Sequence, residues 1–280
     1  TMLLADRLMG IELFCFVATI LCLVLMIRSI MGITREIFGQ SQAEWIAPIL
    51  SLFIFIGFTA GGNQIIYPTL ISSTLAKSFA AFALWKFLQN RYVLSGSALG
   101  VATLFQPLVG LQLMAMIIGA RFITKPFQIK ALLAALLPFL FIASWIIVPI
   151  VTRQLQQGVQ EDQTYWEIFF RFRNYHHYLP SLFPIGHFVK MIALTCGGTI
   201  ILFWAKPRHW KFLLGMVMIS VLGMMIYSAA IETMILPTVG KTQWFKTSIW
   251  VGLIGSIAVS GSISALIRPL GSINPTKPAV

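Results

Sequence analysis

The chain has 280 residues, of which 58% are hydrophobic and only 10% charged, with a mean hydropathy of +0.86. Soluble globular domains carry about 25% charged residues, so the composition excludes an ordinary soluble enzyme, a disordered regulator and a conventional DNA-binding domain. The apolar residues fall in long blocks. They predict an all-α, polytopic transmembrane helical bundle, a single integral membrane domain over residues 1–280.

The formal net charge of +12 sits in short basic clusters between apolar blocks. That pattern is positive-inside topology, in which Lys and Arg collect on the cytoplasmic side, and no nucleic acid partner is expected. The three cysteines make no disulfide framework: Cys15 and Cys22 share one face of a single apolar block and Cys196 lies inside another.

In chain order, Gly10 to Gly32 is the first span, with Glu12 near one end and Arg28 near the other. Trp45 to Gly62 follows without a charge and ends in a turn at Thr59–Asn63. Tyr67 to Leu88 returns as a more polar helix carrying Ser72, Ser73, Thr74, Lys77 and Ser78. Ser95 to Ala120 is uncharged but interrupted by Gln106-Pro107, where the residue before proline is driven out of the α region. This block is either one kinked span or a re-entrant pair of short helices. Basic residues on both sides of it (Lys86 and Arg91 before, Arg121, Lys125 and Lys130 after) favour the re-entrant pair, which enters and leaves on one face.

Ala131 to Val151 is a clear span, and Thr152 to Lys190 a long polar segment outside. Met191 to Ala205 crosses back to the basic turn Lys206–Lys211. Phe212 to Ile231 crosses out, Glu232 to Lys246 forms a second external loop, and Thr247 to Ile267 crosses in. The tail after Arg268 is rich in Pro, Gly and Ser. This arrangement places residues 1–9 outside, with Thr1 rather than Met at the start and no cleavable-signal pattern ahead of them. The chain is therefore expected to be part of a longer protein; a short translocated N-terminus is the alternative.

Two external stretches could carry chemistry. In the first, Trp166, Phe169, Phe170 and Phe172 with Arg171 and Arg173 read as an amphipathic helix lying in the membrane interface. Beyond it stand His176, His177 and Tyr178. Guanidinium groups grip phosphate oxygens in a fork, imidazoles move protons or donate hydrogen bonds, and aromatic faces platform a sugar. In the second, Lys241 and Lys246 flank Trp244 and Phe245. They are either lysine anchors in an aromatic belt or an extension of the same anion-binding mouth. Candidate substrate-binding residues are thus Arg171, Arg173, His176, His177, Tyr178, Lys241 and Lys246. Inside the apolar blocks lie Asn63, Gln64, Lys77, Gln106 and Gln112, expensive in lipid and facing a cavity or a partner; for Lys77, snorkelling is the bland alternative.

Adjacent histidines point apart on a helix or strand and no third ligand has zinc spacing, so no metal is expected. No histidine lies mid-span for haem, and no phosphate-binding glycine loop is present, so no cofactor is expected either. External candidates for a general base are Asp6, Glu161, Asp162, Glu167 and Glu232.

The run Thr74 to Leu113, with its helix, basic turn and Gly100-Val-Ala-Thr-Leu-Phe-Gln-Pro107-Leu-Val-Gly110-Leu111 segment, resembles the middle of polytopic GT-C-type membrane glycosyltransferases. The loop Arg173-Asn-Tyr-His176-His177-Tyr178-Leu-Pro180 resembles an Arg-x-x-His-His-Tyr-x-Pro loop of bacterial members. The resemblance implies a polyprenyl-phosphate-linked sugar donor, transfer at the extracytoplasmic face and residence in the bacterial inner (plasma) membrane. Membrane lipids and the lipid-linked donor are the implied partners. In that class the catalytic acid follows the first span, so it is expected upstream of this chain and no catalytic residue can be assigned. The alternatives are a non-catalytic membrane subunit with partner subunits around it, and, third, a secondary transporter motivated by the Gln106-Pro107 break; the two halves show no self-similarity.

Overall fold

The computed structural model describes residues 10–55, 57, 59–60, 64–65, 70–124, 129–156, 163–173, 178–234 and 236–267. Among them every regular element is helical. In chain order these are α1 (Ile11–Phe38), α2 (Ala43–Ile49, extended by a π turn over Leu50–Ile54), α3 (Ser72–Leu88), α4 (Tyr92–Phe105), α5 (Pro107–Thr124) and α6 (Ile129–Gln156). They continue with α7 (Gln163–Ile168, with a π turn over Phe169–Arg173), α8 (Ile185–Ala205), α9 (Trp210–Met234), α10 (Pro237–Gly240) and α11 (Ser248–Ile267). Six stretches are long and apolar enough to cross a membrane: α1, α5, α6 up to Arg153, α8, α9 and Pro237–Ile267. They are the mark of an integral membrane protein. The outer face of α6 shows what lipid-facing surface looks like here, with Phe141 and Trp145 each about three-quarters exposed.

Two expected spans are not continuous helices. The block beginning at Trp45 leaves helical geometry after Ile54, so Ala43–Ile54 reaches only about 18 Å at 1.5 Å per residue. That is too short for a hydrocarbon core of about 30 Å. The chain beyond it packs inward: Thr59, Ala60 and Ile65 are buried. The block from Ser95 to Ala120 divides at Gln106, whose φ of −146° and ψ of 99° are the extended values a residue before proline prefers. Pro107 then opens α5, where its missing N–H costs nothing.

The chain folds back on itself at that break. Leu99 and Thr103 of α4 lie against Gly110 of α5, and the Arg121 guanidinium donates to the Tyr92 hydroxyl at 3.0 Å. Hence α4 and α5 run antiparallel over most of their lengths. Upstream, Asn90 turns α3 into α4 with a φ of 61°, which asparagine tolerates better than most residues, and the Arg91 N–H closes the turn on the Lys86 carbonyl at 2.9 Å.

Small residues set the interhelical distances. Gly96 and Gly100 of α4 face Ala135, Phe139 and Ile142 of α6, giving a parallel pair in close backbone contact. Ala76, Ala80 and Ala83 on α3 are fully buried. In lipid there is little hydrophobic drive between helices, so close packing of this kind is what holds them. The main core gathers Met26, Ile30, Leu84, Leu99, Leu113 and Trp250 from α1, α3, α4, α5 and α11.

Adjacent glycines on α8 give an internal control. A Cβ on Gly198 would stand 2.6 Å from the Gly255 Cα of α11, whereas one on Gly197 would meet nothing within 4 Å. Gly198→Ala is expected to destabilise the purified chain by about 1–3 kcal/mol through overpacking. Gly197→Ala should leave it unchanged or more stable by about 0.5–1 kcal/mol, because alanine is the better helix former. Thermal unfolding in detergent reads the difference.

Four of the basic clusters meet at one end of the bundle. Arg35 pairs with Glu44 at 2.7 Å and Arg208 with Glu36 at 3.3 Å. Gln89 donates to Glu36 and receives from Lys86, at 3.0 and 3.1 Å. The Arg208 N–H bonds to the Ile37 carbonyl at 3.1 Å, and Arg121 stands beside them on Tyr92.

Candidate functional site

The opposite end holds the two stretches singled out in the sequence, and they pack on each other. Phe170 is fully buried, and its ring lies so close to Gly240 that a Cβ there would stand 2.5 Å from it. Trp166, Phe169, Phe170 and Tyr178 form one aromatic cluster with ring centroids 4.8 to 5.9 Å apart. The Lys241 ammonium sits 4.8 Å over the Trp166 ring, a cation–π contact between the two stretches. The Gln243 amide donates to the Tyr178 hydroxyl at 2.5 Å, and the Tyr227 hydroxyl donates to the Tyr178 carbonyl at 3.0 Å.

The segment expected as an external loop, Glu232 to Lys246, is recessed rather than projecting. Trp244 donates its indole N–H to the Ser220 carbonyl at 3.1 Å, and Ser220 shares a 2.6 Å hydrogen bond with Thr247. Trp244 also packs against Gly223. Those positions lie roughly 16–21 Å back along α9 from its end at Met234, at 1.5 Å per residue. The 3-10 turn Trp244–Thr247 therefore sits near mid-height of α9. Irregular backbone at such depth needs internal partners, and Gln112 of α5 supplies them. Its amide donates to the carbonyls of Thr242 at 2.6 Å and Gln243 at 3.2 Å. This settles what an isolated glutamine does inside an apolar helix.

The floor of the recess is basic. Lys77 of α3 is fully buried and its ammonium donates to the Gln64 carbonyl. Lys246, half-buried, stands on the 3-10 turn that leads into Ser248. Ser248 closes the floor by donating to the Ala60 carbonyl at 3.1 Å. Two lysines from distant parts of the sequence are thus brought toward one interior region through Gln64, Ala60 and Ser248.

Of the candidate residues, the fold brings Tyr178, Lys241 and Lys246 to this recess. Arg171 is half exposed and pairs with Glu167 one turn earlier on its own helix at 3.4 Å. The Arg173 side chain, His176 and His177 lie outside the described residues. So do the carboxylates Asp6, Glu161 and Asp162. Glu232 is engaged by Ser181, whose N–H and hydroxyl donate to its two oxygens at 2.8 and 3.0 Å. Gln243, Tyr227 and Lys77 join the site without having been in the candidate set. Lys77 carried a signal, a lone cation within an apolar helix, whereas Tyr227 read as ordinary span.

Among the described residues no group of three or more His, Cys, Asp or Glu is placed to hold a metal ion. Compared with known protein families, curated proteins and solved structures, the chain matches none.

Proposed function

We propose that this chain is a GT-C-like membrane protein that takes a polyprenyl-phosphate-linked sugar donor at the extracytoplasmic face of a bacterial inner (plasma) membrane. The observation that supports this reading most is the fully buried Lys77 ammonium on the segment around Gln64, which Ala60 ties to the turn that carries Lys246. Burying an ammonium is costly, and an anion drawn to it offsets part of that cost. A phosphate delivered from the lipid phase is such an anion, and it leaves the sugar near the aromatic cluster of Trp166, Phe169 and Tyr178. A phosphate leaving group held by two cations is stabilised as its charge develops.

Three further features fit. The Lys86, Arg121 and Arg208 clusters share one end, which positive-inside topology assigns to the cytoplasm, leaving the recess outside. The antiparallel pair α4–α5, broken at Gln106-Pro107, suits a re-entrant hairpin whose tip approaches the recess from below. The exposed Ile168 and Phe172 on the α7 turn suit an interfacial position beside the mouth.

A second reading is a non-catalytic subunit that binds the lipid phosphate without transferring the sugar. It is favoured by the engagement of Glu167 with Arg171 and Glu232 with Ser181, which leaves neither carboxylate poised as a base. Both readings share the anion site. Native mass spectrometry of the full chain in neutral detergent tests it, with undecaprenyl phosphate against undecaprenol as probes. The phosphate is expected to bind at least tenfold tighter, with the preference lost in Lys246→Gln. Equal binding of the two probes, or a Lys246→Gln variant that keeps the preference, defeats the proposal. Sugar release from a labelled undecaprenyl-phosphate glycoside separates the transferase from the binding subunit.

A further inference from the structure

The basic end of the bundle contains a cavity of about 330 Å³, remote from the recess and unused by the proposed function. It opens between the α3–α4 turn, the end of α5 and the start of α9. Its walls include Phe87, Asn90, Arg121, Arg208, Trp210 and Lys211, and no carboxylate among the described residues lines it. Positive-inside topology by itself asks only for cations in water on the correct side. This cavity has more structure than that. Arg121 is fixed, its guanidinium donating to the Tyr92 hydroxyl at 3.0 Å and lying 5.7 Å from the centre of the Phe87 ring. The Lys211 ammonium is 5.6 Å from the Trp210 ring.

The charge balance decides what such a space accepts. The ion pairs among the described residues are Arg35–Glu44, Arg171–Glu167 and Arg208–Glu36. Arg208 is therefore neutralised by Glu36, while Arg121 and Lys211 take part in none of these pairs. Two cations outside the ion pairs of the described residues face one concave volume, one a planar fork and the other a point charge. That combination matches a phosphate ester: guanidinium grips two oxygens, ammonium a third, and the aromatic walls take the esterified carbon. The volume falls in the range of small-ligand pockets.

We infer that the cavity bounded by Arg121, Arg208 and Lys211 is a phosphate-ester binding site on the face opposite the recess. Either the headgroup of an anionic phospholipid in that leaflet or a soluble phosphate monoester supplies this chemistry. The site does not depend on the function proposed for the recess, and either can fail without the other.

Native mass spectrometry of the purified full chain in neutral detergent tests it, with dioleoyl phosphatidylglycerol and glycerol 1-phosphate as separate probes. At least one probe is expected to bind, and to lose at least tenfold in affinity in the double variant Arg121→Gln/Lys211→Gln. Binding of phosphatidylglycerol alone identifies the lipid as the source; binding of glycerol 1-phosphate identifies a soluble ester. Lys130→Gln, which removes one charge from the exposed start of α6, is expected to stay within twofold of the unmodified chain. Should the double variant fail to fold, Lys211→Gln alone changes only an exposed side chain and is expected to weaken binding about threefold. The inference is overturned if neither probe binds, or if Lys130→Gln weakens binding as much as Lys211→Gln does.

Discussion

Replacing Gly96 by alanine is expected to be the most damaging single-methyl addition in the described part of the chain. A Cβ at that position would overlap the carbonyl oxygen of Ala135, a backbone atom of α6 that cannot rotate aside. Gly100, one turn further along, faces the Phe139 carbonyl at 3.2 Å and the Ile142 Cβ at 2.7 Å from its own notional Cβ. Gly96 and Gly100 thus form a Gly-x-x-x-Gly face on which α4 and α6 approach backbone to backbone. Separating the pair forfeits dispersion contacts along both helices, and lipid offers no compensating hydrophobic drive. Overpacking typically costs about 1–3 kcal/mol, and a backbone clash with no side chain to yield belongs at the top of that range. Because α4 also packs on α3 and α5, the damage spreads to both. The thermal midpoint of purified Gly96→Ala should fall well below that of Gly197→Ala, a glycine with nothing near its notional Cβ. Equal midpoints would mean that α4 and α6 do not pack in this register.

Removing the charge of Lys77 is expected to separate stability from binding. The side chain is fully buried. A structural lysine in that position would be a poor choice, since an apolar residue of similar volume avoids the desolvation cost altogether. Lys77→Met should therefore unfold at the same temperature as the unmodified chain, or higher, in the absence of ligand. Its affinity for undecaprenyl phosphate should drop by about 2–5 kcal/mol, the usual penalty for deleting one partner of a buried charged contact, which is thirtyfold or more. Lys77→Gln is the informative companion. It preserves a donor for the Gln64 carbonyl but not the charge. If Lys77→Met loses stability while Lys77→Gln restores it, and binding is unaffected in both, Lys77 is a tether for the segment around Gln64 rather than an anion ligand.

The residues differ in how much of their role was legible beforehand. The Gln106-Pro107 break was readable because proline acts on its own neighbour's backbone, whatever surrounds it. The grouping of Lys86, Arg121 and Arg208 was readable because charge is excluded from lipid and must collect at an end. Arg171 was read as a phosphate ligand, and the structure adds that its guanidinium pairs with Glu167 one turn away. The i, i+4 spacing of the two residues was legible in the sequence, because such pairs share one helix face. Gln243 was passed over beside the lysines, although its side chain is what joins the two stretches through Tyr178.

The amino-acid order by itself determined the solvent in which the chain folds, its all-helical character and the positions of its long spans. Each of these follows from the transfer free energy and backbone demands of a local segment, and a window of residues contains all of that information. Only the tertiary structure decided that Ala43–Ile54 stops short, that the turn Trp244–Thr247 sinks to mid-height of α9, and that Lys77 reaches the carbonyl of Gln64. The reason is that an irregular segment is stable at depth only when another element satisfies its carbonyls and N–H groups. Here those partners are Gln112 on α5 and Ser220 on α9, more than a hundred residues and about two dozen residues away in sequence.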